Sequence, residues 1–161
     1  MHKTIRTLAT IAALTLTTSA FAAGSANLLL RGTVGVINDI SITTVGSNNI
    51  TLDIENGEIN KHVADATEIS NSSSGYKIMV SSINGGLLQN TSVPTQSTSY
   101  SLSYDGGVPT AVTTVPSQIK NVGSLSGLSI DNSSIRVNVD ALPTALAGTY
   151  EDTVTFSIVA N

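Results

Sequence analysis

The chain has 161 residues, 40% of them hydrophobic and 11% charged, with no cysteine, no tryptophan and a formal net charge of −4. Without cysteine there is no disulfide framework and no thiolate metal site, so packing must hold the fold. The acidic balance argues against nucleic acid or an anionic membrane surface as a partner.

Residues 1–22 have the grammar of a secretory signal: Lys3 and Arg6, a short apolar run from Ile11 to Leu16, then Ala20-Phe21-Ala22 as a small-x-small cleavage pattern. The apolar run is too short to span a membrane, and no later segment is long enough. Cleavage after Ala22 leaves 139 of the 161 residues, enough for one domain with its own core. Five basic residues (Arg31, Lys61, Lys77, Lys120, Arg136) then face all eleven acids, a net charge of −6.

The stretch "SANLLLRGTVGV" (25–36) comes next, with Leu28, Leu30, Gly32, Val34 and Val36 on one face if extended. Beyond it the composition is Ser-, Thr-, Val- and Ile-rich, with no sustained helical period. "VINDISITT" (36–44) groups Ile40 and Ile42 before a turn at 46–49. "ITLDI" (50–54) predicts a strand ended by Asn56-Gly57. Two strands are expected in "ATEISNSSSGYKIMVSSINGG", the second from Tyr76 to Ile83 with Tyr76, Ile78 and Val80 on one face. "SYSLSYDGG" aligns Tyr100, Leu102 and Tyr104 before an Asp-Gly-Gly turn. The segment 124–134 reads as loop or weak strand. "IRVNVDA" turns Ile135, Val137 and Val139 inward, and "GTYEDTVTFSIVAN" ends the chain with Val154, Phe156 and Ile158 on one face. Short alternating strands at this spacing predict one all-β domain, an immunoglobulin-like antiparallel β-sandwich over residues 37–161.

The two ends carry the functional expectation. The final strand runs nearly to Asn161, leaving no residues for a further strand beside it, so the sandwich is expected to be incomplete, with a groove between its sheets. An apolar strand from a neighbouring molecule can fill such a groove by β-augmentation. Leu28, Leu30, Val34 and Val36 would supply roughly 6–12 kcal/mol of burial as an upper bound, at about 1.5–3 kcal/mol each. Gly32 would let the two backbones close where the groove floor rises.

"NLLLRGTVGV" resembles the N-terminal extension of chaperone–usher pilins, with its apolar-x-apolar-x-Gly-x-apolar row. "AGTYEDTVTFSIVAN" resembles the last strand of fimbrial subunits and of the spore coat protein U-like group, and "SNSSSGYKIMVSSINGG" resembles a middle segment of such subunits. Together these cover about a third of the mature chain. The resemblance implies a pilin exported through the periplasm to a cell-surface fimbria, for adhesion or biofilm formation. A periplasmic chaperone and an outer-membrane usher would be its assembly partners, and identical or related pilin subunits its fibre neighbours. It also implies a donor-strand extension at 23–36 with Leu28, Leu30, Gly32, Val34 and Val36 as the donor face. Val154, Phe156 and Ile158 would line the acceptor groove or the adjacent core. The chain departs from the common pattern in lacking a disulfide, in carrying Ala160 in place of a penultimate tyrosine, and in Leu29, which points off the donor row.

Signals for enzymatic chemistry are sparse. His62 is the only mature histidine, and "KHVAD" places it near Asp65 without a G-x-S-x-G elbow. One histidine and no cysteine make no metal cluster, and no phosphate-cradling loop is present, so no catalytic residue, cofactor or metal is expected. Asp53, Glu55 and Glu58 in "LDIENGE" read as a solvated turn rather than a calcium loop. The tyrosines read as core or sheet-edge packing, Tyr150 as a corner residue bonded to backbone, and Asp152 as a turn cap. Asn-x-Ser/Thr patterns at Asn49, Asn71, Asn90 and Asn132 read as chance in so Asn- and Ser-rich a chain. The alternative reading is a monomeric secreted sandwich that binds a carbohydrate or envelope ligand, with 25–36 paired inside its own sheet.

Overall fold

The computed structural model describes residues 24–46 and 50–161. The proposed leader and part of the turn at 46–49 therefore lie outside the described residues. The chain divides into a unit of Met1–Thr33 and a unit of Val34–Asn161. In the first, the described residues 24–33 form neither helix nor strand and are exposed.

The second unit is all β. Its strands are β1 (Asn38–Thr44), β2 (Glu58–Ser70), β3 (Tyr76–Ser82), β4 (Leu87–Asn90), β5 (Ser97–Tyr104), β6 (Thr110–Ala111), β7 (Ser117–Val122), β8 (Ser129–Val139), β9 (Tyr150–Glu151) and β10 (Val154–Ala160). They form two antiparallel sheets. The larger runs β1-β2-β8-β5-β4-β9, with β6 beside β5; the smaller runs β10-β3-β7. With β1, β2, β3, β5, β8 and β10 as strands A to F, this is the A-B-E-D over F-C arrangement of an immunoglobulin-like sandwich, and β7 extends the far edge. The place of strand G, beyond β10, is filled by no strand among the described residues.

Alternation builds the core. Ala64 and Ala66 on β2, Tyr76, Ile78 and Val80 on β3, Leu102 and Tyr104 on β5, and Ile135, Val137 and Val139 on β8 are all buried between the sheets. These inward rows and the turn at Asp105-Gly106, both residues at positive φ, agree with the expectation from sequence.

The structure departs from that expectation at four points. Residues 50–54 form no strand. Ile50, Leu52 and Ile54 do pack on the core. Their backbone, however, is held by other groups: Lys61 Nζ donates to Thr51 O (2.8 Å), the Asp53 amide donates to Glu58, and the Leu142 amide donates to Ile54 O (2.8 Å). β2 starts earlier than its pattern suggests, because two register shifts against β8, at Glu58/Lys61 and His62/Ala64, break the period-two alternation. The short strands β4, β6 and β7 carry too little alternation to be seen in sequence. Finally, the C-terminal stretch is two strands: β9 pairs with β4, then β10 pairs with β3, so the chain changes sheet at Asp152-Thr153. Residues 124–134 divide into a loop and the start of β8.

Candidate functional site: the open side of the sandwich

Burial separates the middle of the sandwich from one of its sides. The inward residues of the central strands are buried, but those of β10, Val154, Phe156 and Ile158, are only half-buried against the same core. On β1, across the gap, Ile40 is half-buried and Ile42 is 41% exposed. Among the described residues β1 is hydrogen-bonded only to β2, and β10 only to β3, so each presents a free backbone edge. The two strands approach within 8 Å between Cα atoms without pairing. A sandwich sealed on this side would bury these rows as fully as it buries Ile78 or Ile135. The side is therefore an apolar cleft with unpaired backbone along its rim.

Beside Val154, at the start of β10, lies an open cavity of about 750 Å³, lined among others by Leu52, Ile54, Val63, Leu88 and Tyr100. Asp152 shapes its wall. Its carboxylate accepts hydrogen bonds from the Tyr100 hydroxyl (2.7 Å), the Ser82 hydroxyl and the amides of Asn84 (3.1 Å) and Thr153 (2.7 Å). Asp152 thus caps the crossing between sheets, as the sequence suggested. Burial, then the bond to Asp152, raises the Tyr100 hydroxyl well above its ordinary range. Tyr150 Oη donates to Leu146 O at 3.0 Å, the corner bond expected of it.

The segment expected to act as donor forms no regular element. Leu28, Leu30, Val34 and Val36 are 72–88% exposed, and residues 24–37 belong to no strand. A Cβ added at Gly32 would meet nothing within 4 Å. The segment's C-terminal end is pinned by Asn71. Asn71 Nδ2 donates to Gly35 O (2.8 Å), its Oδ1 accepts from the Ile37 amide (2.6 Å), and its own amide donates to Ile37 O (3.1 Å). Val36 lies inside this clamp, while Leu28, Leu30, Gly32 and Val34 lie beyond it. Sequence reasoning missed Asn71, which it set aside as one of four chance Asn-x-Ser/Thr patterns.

It also missed a buried charged cluster at the opposite edge of the small sheet. Glu68, on β2, is fully buried and accepts hydrogen bonds from Tyr76 Oη (2.7 Å), Tyr104 Oη (2.6 Å) and Ser133 Oγ (2.7 Å). Lys120 Nζ on β7 lies 3.2 Å from both Glu68 oxygens, 2.7 Å from Asp131 and 3.1 Å from Asp105. Burial works against the Lys120 charge, but the bonds to Asp131, Asp105 and Glu68 outweigh it and hold the ammonium above its ordinary range. The bond from Lys120 lowers Asp131. Burial, then the bond to Glu68, raises Tyr76 and Tyr104. Tyr104 also packs against Phe156, with ring centroids 5.9 Å apart and planes tilted by 33°, which links this cluster to the cleft.

The other expected features are structural. Asp53 accepts from the Asn56 amide (2.9 Å), and Glu58 pairs with Lys61, so "LDIENGE" is a bonded turn. His62 Nε2 faces Asp65 (2.9 Å) and Ala64 O (3.1 Å), with no serine hydroxyl bonded to it among the described residues.

No protein-family model matches this chain, and no curated protein matches it. Solved structures similar to it include the CooA pilin subunit from enterotoxigenic Escherichia coli, at 14% identity over 74% of this chain and 86% of that one, with a TM-score of 0.42. The E. coli Hda pilus minor tip subunit HdaB matches at 17% identity over 79% and 85%, TM-score 0.38. The Salmonella SafD adhesin matches at 16% identity over 78% and 100%, TM-score 0.41. Identities and scores this low leave the function to be argued from the chain's own geometry.

Proposed function

We propose that this protein is a structural subunit of a bacterial surface fimbria that polymerises by donor-strand exchange. Residues 28–34 of one copy lie along β10 of the next and fill its cleft. The observation that carries this reading is the half-open state of Val154, Phe156 and Ile158 beside the unpaired edge of β10, in a chain that also exposes the apolar row Leu28, Leu30 and Val34. Each half explains the other: an unfilled apolar cleft and an unburied apolar segment are both unfavourable in water, and joining them removes both. Val36 acts as the end of the donor rather than part of its buried row, because Asn71 holds Gly35 and Ile37 on the donor's own domain. Before assembly the cleft needs a temporary strand, which is the office of a periplasmic chaperone, and an outer-membrane usher would receive the subunit. Residues 1–22 would direct export, and the fibre would serve adhesion or biofilm formation.

The test is complementation between two variants of the mature chain. Gly32→Leu should ruin the donor and spare the subunit, since that position has free space around it. Phe156→Asp should ruin the acceptor and spare the donor. Neither should polymerise alone, and a mixture should stop at a heterodimer. Two variants that stay monomeric when mixed, or a wild-type chain that stays a soluble monomer without a strand donor, would sink the reading.

The cavity of about 750 Å³ favours a second reading, a monomeric binding module for a small apolar or sugar-like ligand, because its size is that of ordinary ligand sites. That reading expects a stable monomer whose cleft holds a small molecule rather than a strand.

A further inference from the structure

The small sheet has two edges, and they are built differently. β10 pairs with β3 through seven consecutive residues without interruption, and its sequence VTFSIVA holds no charge and no proline. Such an edge invites another strand. β7 pairs with β3 through a ladder that shifts register at Ile78/Met79, leaving Ile119 as an extra residue. The bulge turns consecutive side chains inward: Ile119 packs on the core, and Lys120 reaches Glu68 and Ser133. Behind this edge three carboxylates, those of Glu68, Asp105 and Asp131, share one ammonium. Glu68 has no exposure, so the excess negative charge is tolerated through Asp105 and Asp131, each of which keeps about half its side-chain surface in water.

We infer that the Glu68–Lys120–Asp131–Asp105 cluster on its bulged strand bars strand addition at β7, so that the sheet accepts a partner at β10 alone. A strand laid along β7 would strip water from two carboxylates that have only a shared counter-ion. It would also have to follow an irregular edge of six residues. For the β10 edge this inference rests on the donor-strand reading; for the β7 edge it stands alone. Its consequence is that the small sheet offers a single acceptor edge, which favours unbranched growth, whereas two would give branches or sheets.

The test strips the guard from the mature chain with Glu68→Gln, Lys120→Met and Asp131→Asn together, and reads mass by light scattering, shape by electron microscopy and amide exchange strand by strand. The expected result is association at a concentration about tenfold or more below that of the wild type, with branched or sheet-like particles. New protection should fall on residues 117–122. A folded triple variant with wild-type mass, unbranched particles and unprotected 117–122 would overturn the inference. If the triple variant fails to fold, Asp105→Asn with Asp131→Asn keeps the Lys120–Glu68 pair and removes only the two solvated charges. The same gain in association and protection is expected, and its absence overturns the inference equally. Were the wild type to form no fibres, the donor-strand reading would fall, while extra association confined to 117–122 in the stripped variant would still uphold the guard.

Discussion

Glu68 has no water to turn to, so each of its partners matters more than a surface contact would. Truncating Glu68 leaves Lys120 paired with Asp131 and Asp105 but strips the hydroxyls of Tyr76, Tyr104 and Ser133 of their acceptor, at about 1–3 kcal/mol for each orphaned donor. Glu68→Ala should therefore destabilise by that amount per donor in denaturant titration. Glu68→Gln should cost less, because its carbonyl still accepts from Tyr76 and Tyr104. The raised tyrosines set the alkaline limit. A group whose folded pKa lies above its unfolded value stabilises fully below the unfolded value and loses that contribution as pH rises past it. Stability should thus fall above about pH 10. Tyrosinate absorbance from Tyr76, Tyr100 and Tyr104 should appear together with loss of the fold, not before it. Asp131 is the opposite case: its lowered value adds stability above about pH 4, lost as pH falls below it. The sequence hid this cluster in two ways. Glu68 sits on the inward phase of Ala64, Ala66 and Ser70, where a charge is a cue only once the strand's inner face is known. Lys120 points inward because of a bulge that no local pattern announces.

At the scale of the element, the long alternating rows were readable because period-two burial writes itself directly into sequence. β3, β5, the second half of β8 and β10 each show it. What was not readable depended on distant partners: 50–54 looks like a strand but is tied down by Lys61 and Leu142, and the break at Asp152 depends on Ser82, Asn84 and Tyr100. The open side of β10 was legible as a missing neighbour, whereas the clamp on Gly35 and Ile37 was not, because Asn71 lies 34 residues from Ile37. Asn71→Ala should remove two side-chain bonds and leave the Gly35 carbonyl and the Ile37 amide to water. We expect a loss of about 1–2 kcal/mol, faster amide exchange at Ile37, and a donor segment that extends past Val34 and seats less firmly in its neighbour.

For the whole molecule the donor-strand proposal makes one distinctive demand: a donor side chain should contribute nothing to its own domain and much to the next one. Leu30 is 83% exposed in the subunit, so Leu30→Ala should leave the unfolding midpoint of the isolated chain unchanged. In a fibre the same change would empty a pocket at the interface, at about 2–3 kcal/mol. Interface losses fall mainly on the dissociation rate, and each 1.4 kcal/mol is a factor of ten, so fibres should come apart on the order of 30–150 times faster. Wild-type fibres must break several filled pockets and a ladder of backbone bonds at once. They should survive unheated gel electrophoresis as a ladder and collapse only on boiling. Leu30→Ala fibres should collapse at a lower temperature although their subunits melt as before. If both temperatures dropped together, Leu30 would be holding its own fold, and the 25–36 segment would belong to its own sandwich rather than to a neighbour's.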